Sequence, residues 1–481
     1  MPDCAKEEGI VTEEEPLNGF TGFARRKPGF VPASVSVGHT PVGAGGAFRS
    51  RAAHEGDGGS SYPFSPSSVS SVAQGAFQYA RDHERDAAGT LRFDPDKLRM
   101  IADVDRRWSW VEIDLSAIRH NVGEYRRRLG NRTRLMAIVK ANAYGHGAVQ
   151  VARTALNSGA EWLGVATVNE AIELREALVN APILVLSEPP ATTAPLLLAY
   201  KITPAVYTPE FAIAYAETAD AFGLKAPYHL AVNTGMNRIG VRHDQVIDFM
   251  MQVGFHRALE LNGVFTHFAT ADSSEMLDFQ IQAKRFMEAV SALRAAGIDP
   301  GIVHCANTAA GARFADVRFD MARLGISLYG MHASDETRGL LDLRPAMSVH
   351  ARITDTRTVP LGEGVSYGME YRSPGSVKIC TIPVGYADGL RHELSGRMDV
   401  ILDGRRCRQV GQICMDMCMF EVDLRTYGSH RRLDPQIGDE VLLVGRQGES
   451  MITLDEMADV LGTINYEVAC GFNMRLPKVY K

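Results

Sequence analysis

Lys140 ends an apolar, β-branched run and is followed at once by a turn that contains two glycines. The segment reads RLMAIVKANAYGHG over residues 134–147. A lysine that follows a strand is most often an exposed surface residue. At the mouth of a barrel, partial desolvation lowers the pKa of the amine and makes it a nucleophile for an aldehyde. Because Gly145 and Gly147 permit close backbone approach and Tyr144 offers a hydroxyl, the segment indicates a Schiff base with a phosphate-bearing cofactor.

Other polar side chains recur where apolar runs end. They are Thr167, Asn233 with Arg238, His267, the segment CANT over residues 305–308, and Arg323 shortly before Gly325. In a barrel of parallel strands, catalytic groups lie at the carboxyl ends of the strands, where the βα loops meet. An inert barrel has no need of so many polar groups at one end, so the pattern predicts a site there.

Eight short apolar runs separated by helical patterns predict the elements that position these groups. The runs cover residues 134–140, 162–167, 182–187, 203–207, 228–233, 261–267, 301–305 and 323–330. One intervening segment, TVNEAIELREAL, begins with a capping box of Thr167 and Glu170, and Val168, Ala171, Ile172 and Leu178 share a helix face. Strands that alternate with helices form parallel βα units, which predicts a closed (β/α)8 barrel. An open doubly wound sheet remains the alternative.

The chain divides into three regions that differ in composition and in hydrophobic pattern. Residues 1–105 contain GAGG and EGDGGSSYPFSPSSVSSV in place of any sustained apolar period, and we predict that they are largely disordered. Residues 106–344 hold the predicted barrel. Residues 345–481 show the alternation and turn residues of a small β domain, interrupted by one predicted helix, TLDEMADVLG, that ends at Gly462.

Charge and cysteine usage narrow the class of protein. A formal net charge of -6 and a pI near 6.2 argue against a nucleic-acid binder and a binder of anionic membranes, because both need a concentrated basic face. Seven scattered cysteines do not resemble a disulfide framework, which favours a reducing, cytoplasmic location. The pair in CMDMC, Cys414 and Cys418, is not matched by a second pair with zinc-like spacing, so we predict core cysteines and no metal. Together these features favour small-molecule chemistry.

The segment VKANAYGHG resembles the pyridoxal-phosphate (PLP) lysine motif of the alanine racemase family. Further similar stretches follow in the family's order: WSWVEIDLSAIRHNV, HLAVNTGMNRIGV, GVFTHFATAD, HCANTAA, RLGISLYG, GVSYG, IPVGYADGLR, GQICMDM and INYEV. The resemblance runs from about residue 108 to the C-terminus. It implies a PLP-binding barrel joined to a β domain, a head-to-tail homodimer, and racemisation of L-alanine to D-alanine, which supplies D-alanine for peptidoglycan.

The resemblance also implies catalytic roles. Lys140 would hold the cofactor and act as one of two bases, and Tyr386, contributed by the β domain of the partner subunit, would be the second. Tyrosine has an unperturbed pKa near 10, so a neighbouring positive charge is needed, and His267 would provide it through its contact with Arg323. Arg323 would face the pyridine nitrogen and leave it unprotonated, because an arginine has only donors.

Binding roles follow from the same resemblance. The residues implied for the cofactor phosphate are Tyr144, Thr308, the backbone amides of Gly325 and Ile326, and Tyr466. The substrate carboxylate would meet Arg238 and the backbone N–H of Met415. Asp272 and Asp416 would lie at the entrance and near the tyrosine base respectively, as secondary members of the site.

The chain departs from the family pattern beside Arg238. Many members carry a lysine in HLKVDTG that is modified to a carbamate and orients the arginine, whereas this chain reads HLAVNTG, with Ala231 and Asn233. A carbamate cannot form on alanine, so we expect a chloride ion or water to hold Arg238. Gln412 stands where an entrance arginine is frequent, which bears on substrate strictness.

Three other functions remain open. A broader-specificity amino-acid racemase is made more credible by Ala231. A barrel-type PLP decarboxylase shares the architecture but differs in its cofactor motifs. A non-catalytic PLP carrier typically lacks the β domain, so Tyr386 and residues 345–481 argue against it.

Overall fold

The computed structural model describes residues 106–423, 433–472 and 475–481. The predicted disorder of residues 1–105 lies outside the described part of the chain. All of the described residues belong to one compact unit. Within them, no helix is both long and apolar enough to cross a bilayer.

Eight parallel strands form the barrel, one for each predicted run and in the predicted order. They are β2 (Arg134–Ile138), β3 (Trp162–Val165), β4 (Ile183–Val185), β5 (Thr203–Val206), β6 (Ala226–Asn233), β8 (Leu259–Phe265), β9 (Ile302–His304) and β10 (Met321–Leu324), with the short β7 (Val241–Arg242) added beside β6. The sheet runs from β10 through β2 to β9. Backbone hydrogen bonds from Asp320 to Val303, 3.1 Å, and from Arg323 to Ala306, 3.0 Å, join its two ends. The barrel is therefore nearly closed, which confirms the predicted (β/α)8 architecture over the open sheet.

Helices connect the strands and cover the barrel. They are α1 (Leu115–Leu129), α2 (Lys140–Tyr144), α3 (Ala148–Asn157), α4 (Val168–Glu176), α5 (Ala194–Ala199), α6 (Pro209–Ala221), α7 (Val246–Val253), α8 (Leu277–Ala295) and α9 (Thr308–Arg313). The capping box of α4 is present, with Thr167 and Glu170 bonding reciprocally. The prediction that Leu178 shares the apolar face of α4 is wrong, because the helix has ended and Leu178 lies exposed at φ 63°.

A mostly antiparallel sheet forms the second half of the molecule. Its strands are β1 (Ser109–Ile113), β11 (Met347–Arg352), β12 (Asp355–Val359), β15 (Val377–Ile382), β16 (Asp399–Leu402), β17 (Arg405–Val410), β18 (Cys418–Val422), β19 (Glu440–Gln447), β20 (Ser450–Ile452) and β21 (Lys478–Tyr480), beside a small pair, β13 (Gly364–Val365) and β14 (Tyr371–Arg372). Its alternating strands bury one face against a core that continues into the barrel. The predicted β-rich second half is confirmed.

Two details differ from the sequence pattern. β1, on the barrel side of the predicted boundary at residue 345, pairs antiparallel with β11 and parallel with β21, so it belongs to the second sheet. A second helix, α11 (Asn465–Gly471), follows α10 (Leu454–Leu461), whereas one helix was predicted there. α10 ends as predicted on Gly462, at φ 68°.

Candidate active site

A cavity opens at the carboxyl ends of the barrel strands, and most of the predicted site residues line it. The predicted residues among its lining are Lys140, Tyr144, Arg238, His267, Asp272, Thr308, Arg323, Gly325, Ile326 and Tyr466. They come from the ends of five strands, β2, β6, β8, β9 and β10, and, for Tyr466, from helix α11. The barrel therefore brings together strand-end side chains that lie far apart in sequence, from Lys140 to Ile326.

Lys140 begins a left-handed helical turn rather than an ordinary loop. Ala141, Asn142, Ala143 and Tyr144 all have φ between 51° and 54°. Each such non-glycine residue costs roughly 1–2 kcal/mol, so neighbouring contacts must hold the turn. The Glu170 carboxylate accepts a hydrogen bond from the Ala141 N–H at 2.7 Å, and the Asn142 side chain accepts one from the Ala148 N–H at 2.8 Å. The sequence pattern predicted a turn here but not its handedness.

The two glycines after Lys140 make room for the protein's own C-terminal segment. A Cβ on Gly145 would lie 2.6 Å from the Ala469 carbonyl oxygen of α11, and one on Gly147 would overlap the Tyr480 hydroxyl of β21. The close backbone approach expected at these glycines is therefore made by the C-terminal segment. They let α11 approach the turn, which places Tyr466 over the barrel mouth.

The Lys140 amine lies in a partly dry, cationic environment. Burial lowers its pKa, and the positive charge of Arg238 lowers it further, while Glu170 opposes the shift. A lowered pKa raises the fraction of neutral amine, which is the form that attacks an aldehyde or accepts a proton.

Donors that suit a phosphate converge beside Gly325. The Gly325 N–H donates to the Thr308 hydroxyl oxygen at 2.7 Å. A Cβ on Gly325 would lie 3.3 Å from that oxygen and 3.4 Å from the Tyr144 hydroxyl. The Tyr466 ring lies 5.9 Å from the Tyr144 ring, centroid to centroid. Neutral hydroxyls and backbone N–H groups form a cradle of the kind that holds a dianion.

Arg323 is buried without a carboxylate among its hydrogen-bond partners in the described chain. It donates to the backbone oxygens of Thr266, His304 and Cys305, to His304 Nδ1 at 3.0 Å and to His267 Nδ1 at 3.3 Å. Burial lowers its pKa to about 10, so the guanidinium remains charged at neutral pH. An anionic or lone-pair acceptor in the cavity would meet a positive charge that none of these neutral partners cancels.

His267 is neutral rather than cationic. Burial, followed by the charge of Arg323, lowers its pKa to about 3. Since Arg323 can only donate, His267 Nδ1 accepts, and the imidazole proton resides on Nε2. A neutral His267 would act on a neighbouring tyrosine through its Nε2–H, polarised by Arg323, and not through a charge of its own.

Two buried histidines behind Arg323 were missed by the sequence reasoning. His304 Nδ1 accepts from Arg323, which leaves the His304 Nε2 proton to be donated to His229 Nδ1 at 2.9 Å. The His229 ring then meets the Trp162 ring at a centroid distance of 5.3 Å. Both lie inside strands, where a lone histidine gives no signal of its own. Their spacing to Arg323 exists only in the folded barrel.

Ala231 and Asn233, the two residues beside Arg238 that differ from the family pattern, carry no charge and make other contacts. Ala231 is buried and lines the cavity, and it packs with Ala205 and Phe265. The Asn233 side-chain oxygen accepts from the N–H groups of Gly235 and Asn237, so this side chain organises its own loop. Neither replacement therefore supplies a counter-charge for Arg238.

Tyr386 and Met415 lie together on the β domain and are not among the described residues that line the cavity. The Tyr386 N–H donates to the Cys414 carbonyl, and the Ala387 N–H donates to the Met415 carbonyl, both at 3.0 Å. Tyr386 is 44% exposed and Met415 is 52% exposed. One chain therefore holds two separate halves of the predicted site.

Comparison with known proteins matches both the barrel and the β domain. Sequence models of the alanine racemase N-terminal domain and C-terminal domain match residues 113–333 and 346–480. The chain belongs to the alanine racemase family. Alanine racemase from Synechocystis is 41% identical over 377 residues, which is 78% of this chain and 99% of that relative, and alanine racemase 1 from Bacillus subtilis is also 41% identical, over 78% and 93%. The family resemblance inferred from the motifs is confirmed.

Solved structures of the family have the same architecture. The crystal structure of alanine racemase from Bacillus anthracis with bound L-Ala-P matches with a TM-score of 0.73 at 37% identity, covering 78% of this chain and 95% of that one. A histidine racemase from Leuconostoc mesenteroides matches with a TM-score of 0.71 at 29% identity, covering 78% and 98%. The barrel with a β domain therefore carries racemases named for different amino acids.

Proposed function

We propose that this chain is a PLP-dependent alanine racemase that interconverts L- and D-alanine with two bases, Lys140 and the partner subunit's Tyr386. The observation that carries the proposal is a partly buried lysine amine of lowered pKa in a cavity that also contains Arg238, Arg323 and a cradle of phosphate donors. Family membership supports the same reaction.

The residues present suit PLP. The Lys140 amine would hold its aldehyde carbon, and the cradle of Tyr144, Thr308, Gly325 and Ile326 would receive its phosphate. When bound, PLP withdraws electrons from an amino acid joined to it and makes the α-proton acidic. Arg323, which can only donate, would face the ring nitrogen and leave it without a proton.

Each base serves one face of the α-carbon. Lys140 Nζ would exchange a proton on one face, and the phenolic oxygen of the partner's Tyr386 would exchange one on the other. His267 Nε2–H is available to donate to that oxygen and to favour its charged form. Arg238 and the Met415 N–H would orient the substrate carboxylate.

A head-to-tail homodimer would complete the site. Several large apolar side chains are exposed around Tyr386 on the β domain: Tyr367, Met369, Met415 and Met417. Exposed apolar clusters of this kind mark protein interfaces. We propose that this surface packs on the barrel mouth of a second copy, in the cytoplasm, and that the product serves peptidoglycan synthesis.

Exchange of the α-proton tests the proposal. L-alanine incubated in deuterium oxide with the PLP-loaded enzyme should gain α-deuterium and yield D-alanine without release of carbon dioxide, which would instead indicate a decarboxylase. Lys140→Ala should abolish racemisation, and Tyr386→Phe should lower kcat by about 10²- to 10⁴-fold. Unchanged turnover in both variants would refute the two-base assignment.

A broader-specificity racemase is the second candidate. Ala231 departs from the residue pattern beside Arg238, and a histidine racemase shares the fold. A screen of L-amino acids for α-deuterium exchange separates the two candidates. Exchange restricted to alanine supports the first, and comparable kcat/KM for several substrates supports the second.

A further inference from the structure

We infer that Arg107 is a positioning residue for the second base: its ion pair with Asp388 holds the turn that presents Tyr386 to the partner subunit. This inference rests on the proposed function. It concerns a residue that precedes the first residue matched by the family model, at position 113, and that contributes nothing to the described lining of the cavity.

The Tyr386 turn is built around the buried carboxylate of Asp388. Asp388 is fully buried, and its Oδ2 accepts the Gly385 N–H at 2.9 Å, which closes the short 3₁₀ turn of residues Tyr386–Asp388. The guanidinium of Arg107 binds both carboxylate oxygens, at 2.5 and 2.6 Å. It also donates to the Pro383 carbonyl just before the turn. A bidentate arginine fixes orientation as well as charge.

The same cluster reaches the loop that carries Met415. Arg475 contacts Asp388 at 3.4 Å and binds Asp416, the residue after Met415, at 2.6 Å. The two loops are already joined by backbone hydrogen bonds from Tyr386 and Ala387. A Cβ on Gly385 would lie 2.3 Å from the Cys414 carbonyl oxygen, so the loops touch closely. Asp388 is thus the common anchor of both functional segments of the β domain.

Because Asp388 is buried, its carboxylate depends on Arg107 for compensation of its charge. A carboxylate out of water is stable only when charges and donors compensate it, and removal of one partner leaves an uncompensated charge. Without Arg107, the Asp388 carboxylate keeps, among the described residues, only the Gly385 N–H and the 3.4 Å contact with Arg475, so the turn must either admit water or rearrange. Either change displaces the phenol of Tyr386, and displacement of a reacting group by about 1 Å costs up to 10²-fold in rate.

Steady-state kinetics of the PLP-loaded enzyme give the first test. Arg107→Gln should lower kcat by about 10- to 100-fold with a small change in KM, while PLP affinity, measured by absorbance titration, stays as in the wild type. The α-deuterium isotope effect should rise for one enantiomer more than for the other, because Tyr386 removes the proton from one face only. Arg107→Lys should recover part of the activity, since it restores charge without the bidentate geometry.

Subunit complementation locates the effect. In a head-to-tail dimer, Lys140→Ala and Arg107→Gln subunits together form one intact site, because Lys140 comes from one chain and Tyr386 from the other. Random mixing of the two inactive or weakened proteins should therefore restore about a quarter of the wild-type activity. A loss of activity caused by general destabilisation of the Arg107→Gln subunit would not be rescued.

Two controls separate the possible failures. Mixing Lys140→Ala with Tyr386→Phe tests the shared site itself: if this pair is not rescued, the proposed dimer is wrong. If it is rescued but the Arg107→Gln pair is not, or if Arg107→Gln has wild-type kcat, the positioning role is wrong. Arg406→Gln is the matched control, because Arg406 also bridges carboxylates of the β domain, Asp399 and Glu456, away from the turn, and it should leave kcat unchanged.

Discussion

At the residue scale, the site is a set of donors with few acceptors. The charges of Arg238 and Arg323 add to burial in lowering the pKa of Lys140, and the phosphate cradle adds hydroxyl and backbone donors. Such a cavity has a positive potential and attracts anions. A phosphate and a carboxylate together, as in PLP and an amino acid, match it in charge.

A side chain at position 325 should weaken the binding of PLP. In Gly325→Ala the new methyl group lies against the Thr308 and Tyr144 hydroxyl oxygens, in the space where a phosphate would sit. We expect PLP affinity to fall by at least about tenfold, with little change in thermal unfolding of the apoprotein. Titration of the apoprotein with PLP, followed by absorbance, measures this. Wild-type affinity in Gly325→Ala would place the phosphate elsewhere.

Arg238 should depend on an anion from solution. Because Ala231 and Asn233 supply no counter-charge, a chloride ion is expected to orient the guanidinium. Activity should rise severalfold when chloride replaces gluconate at constant ionic strength. Ala231→Lys, which restores a side chain able to carry a carbamate, should remove this dependence. Equal wild-type activity in both salts would contradict the hypothesis.

At the element scale, the catalytic lysine is held by its neighbour helix. One Glu170 carboxylate accepts the N–H groups of Ala141, Ala166 and Thr167, so the start of α4 and the left-handed turn share one anchor. The eight strands were predictable because each is a short apolar run with a polar end. The left-handed turn was not, because four consecutive non-glycine residues of positive φ are stabilised by distant partners rather than by their own preference.

Loss of the Glu170 anchor should loosen the turn. An amide has one acceptor oxygen where the carboxylate has two, so Glu170→Gln leaves at least one of these N–H groups without its partner. We expect the free energy of unfolding to fall by about 1–3 kcal/mol and PLP affinity to fall with it. Denaturation by urea measures the first. Glu176→Gln, an exposed position at the end of the same helix, is the control and should change neither.

At the scale of the whole molecule, buried neutral histidines tie stability to pH. Burial lowers the pKa of His229 to about 3 and holds that of His304 well below its usual value. The folded protein therefore binds fewer protons than the unfolded chain below about pH 6.5, and stability falls as pH falls from there towards the folded-state values.

The loss of folding stability should be measurable at mildly acidic pH. Each such histidine costs about 1.4 kcal/mol for each pH unit below 6.5. In urea unfolding, His229 and His304 together should therefore remove about 2–3 kcal/mol of stability between pH 7.5 and pH 5.5, and His146 and His267, whose pKa values are lowered in the same way, should add to the loss. His304→Gln should have a shallower pH dependence, whatever its stability at pH 7.5. An unaltered slope in that variant would show that other groups are responsible.

The limits of sequence reasoning also appear at this scale. The fold class and the lining residues of the barrel cavity followed from strand ends and family motifs. Arg107, His229 and His304 did not, because each acts through a partner that lies tens to hundreds of residues away and carries no local pattern. β1 was placed with the barrel for the same reason: an apolar strand does not reveal which sheet it joins.

The pairing of β1 with β11 and β21 imposes an order on biosynthesis. β1 leaves the ribosome before any barrel strand, and β21 follows all of them. A nascent chain can close its barrel while β1 still has an unpaired edge on both sides, and unpaired edges are where strands of different chains join. Synthesis of β21, rather than completion of the barrel, is thus the step that lets the second sheet form on both sides of β1.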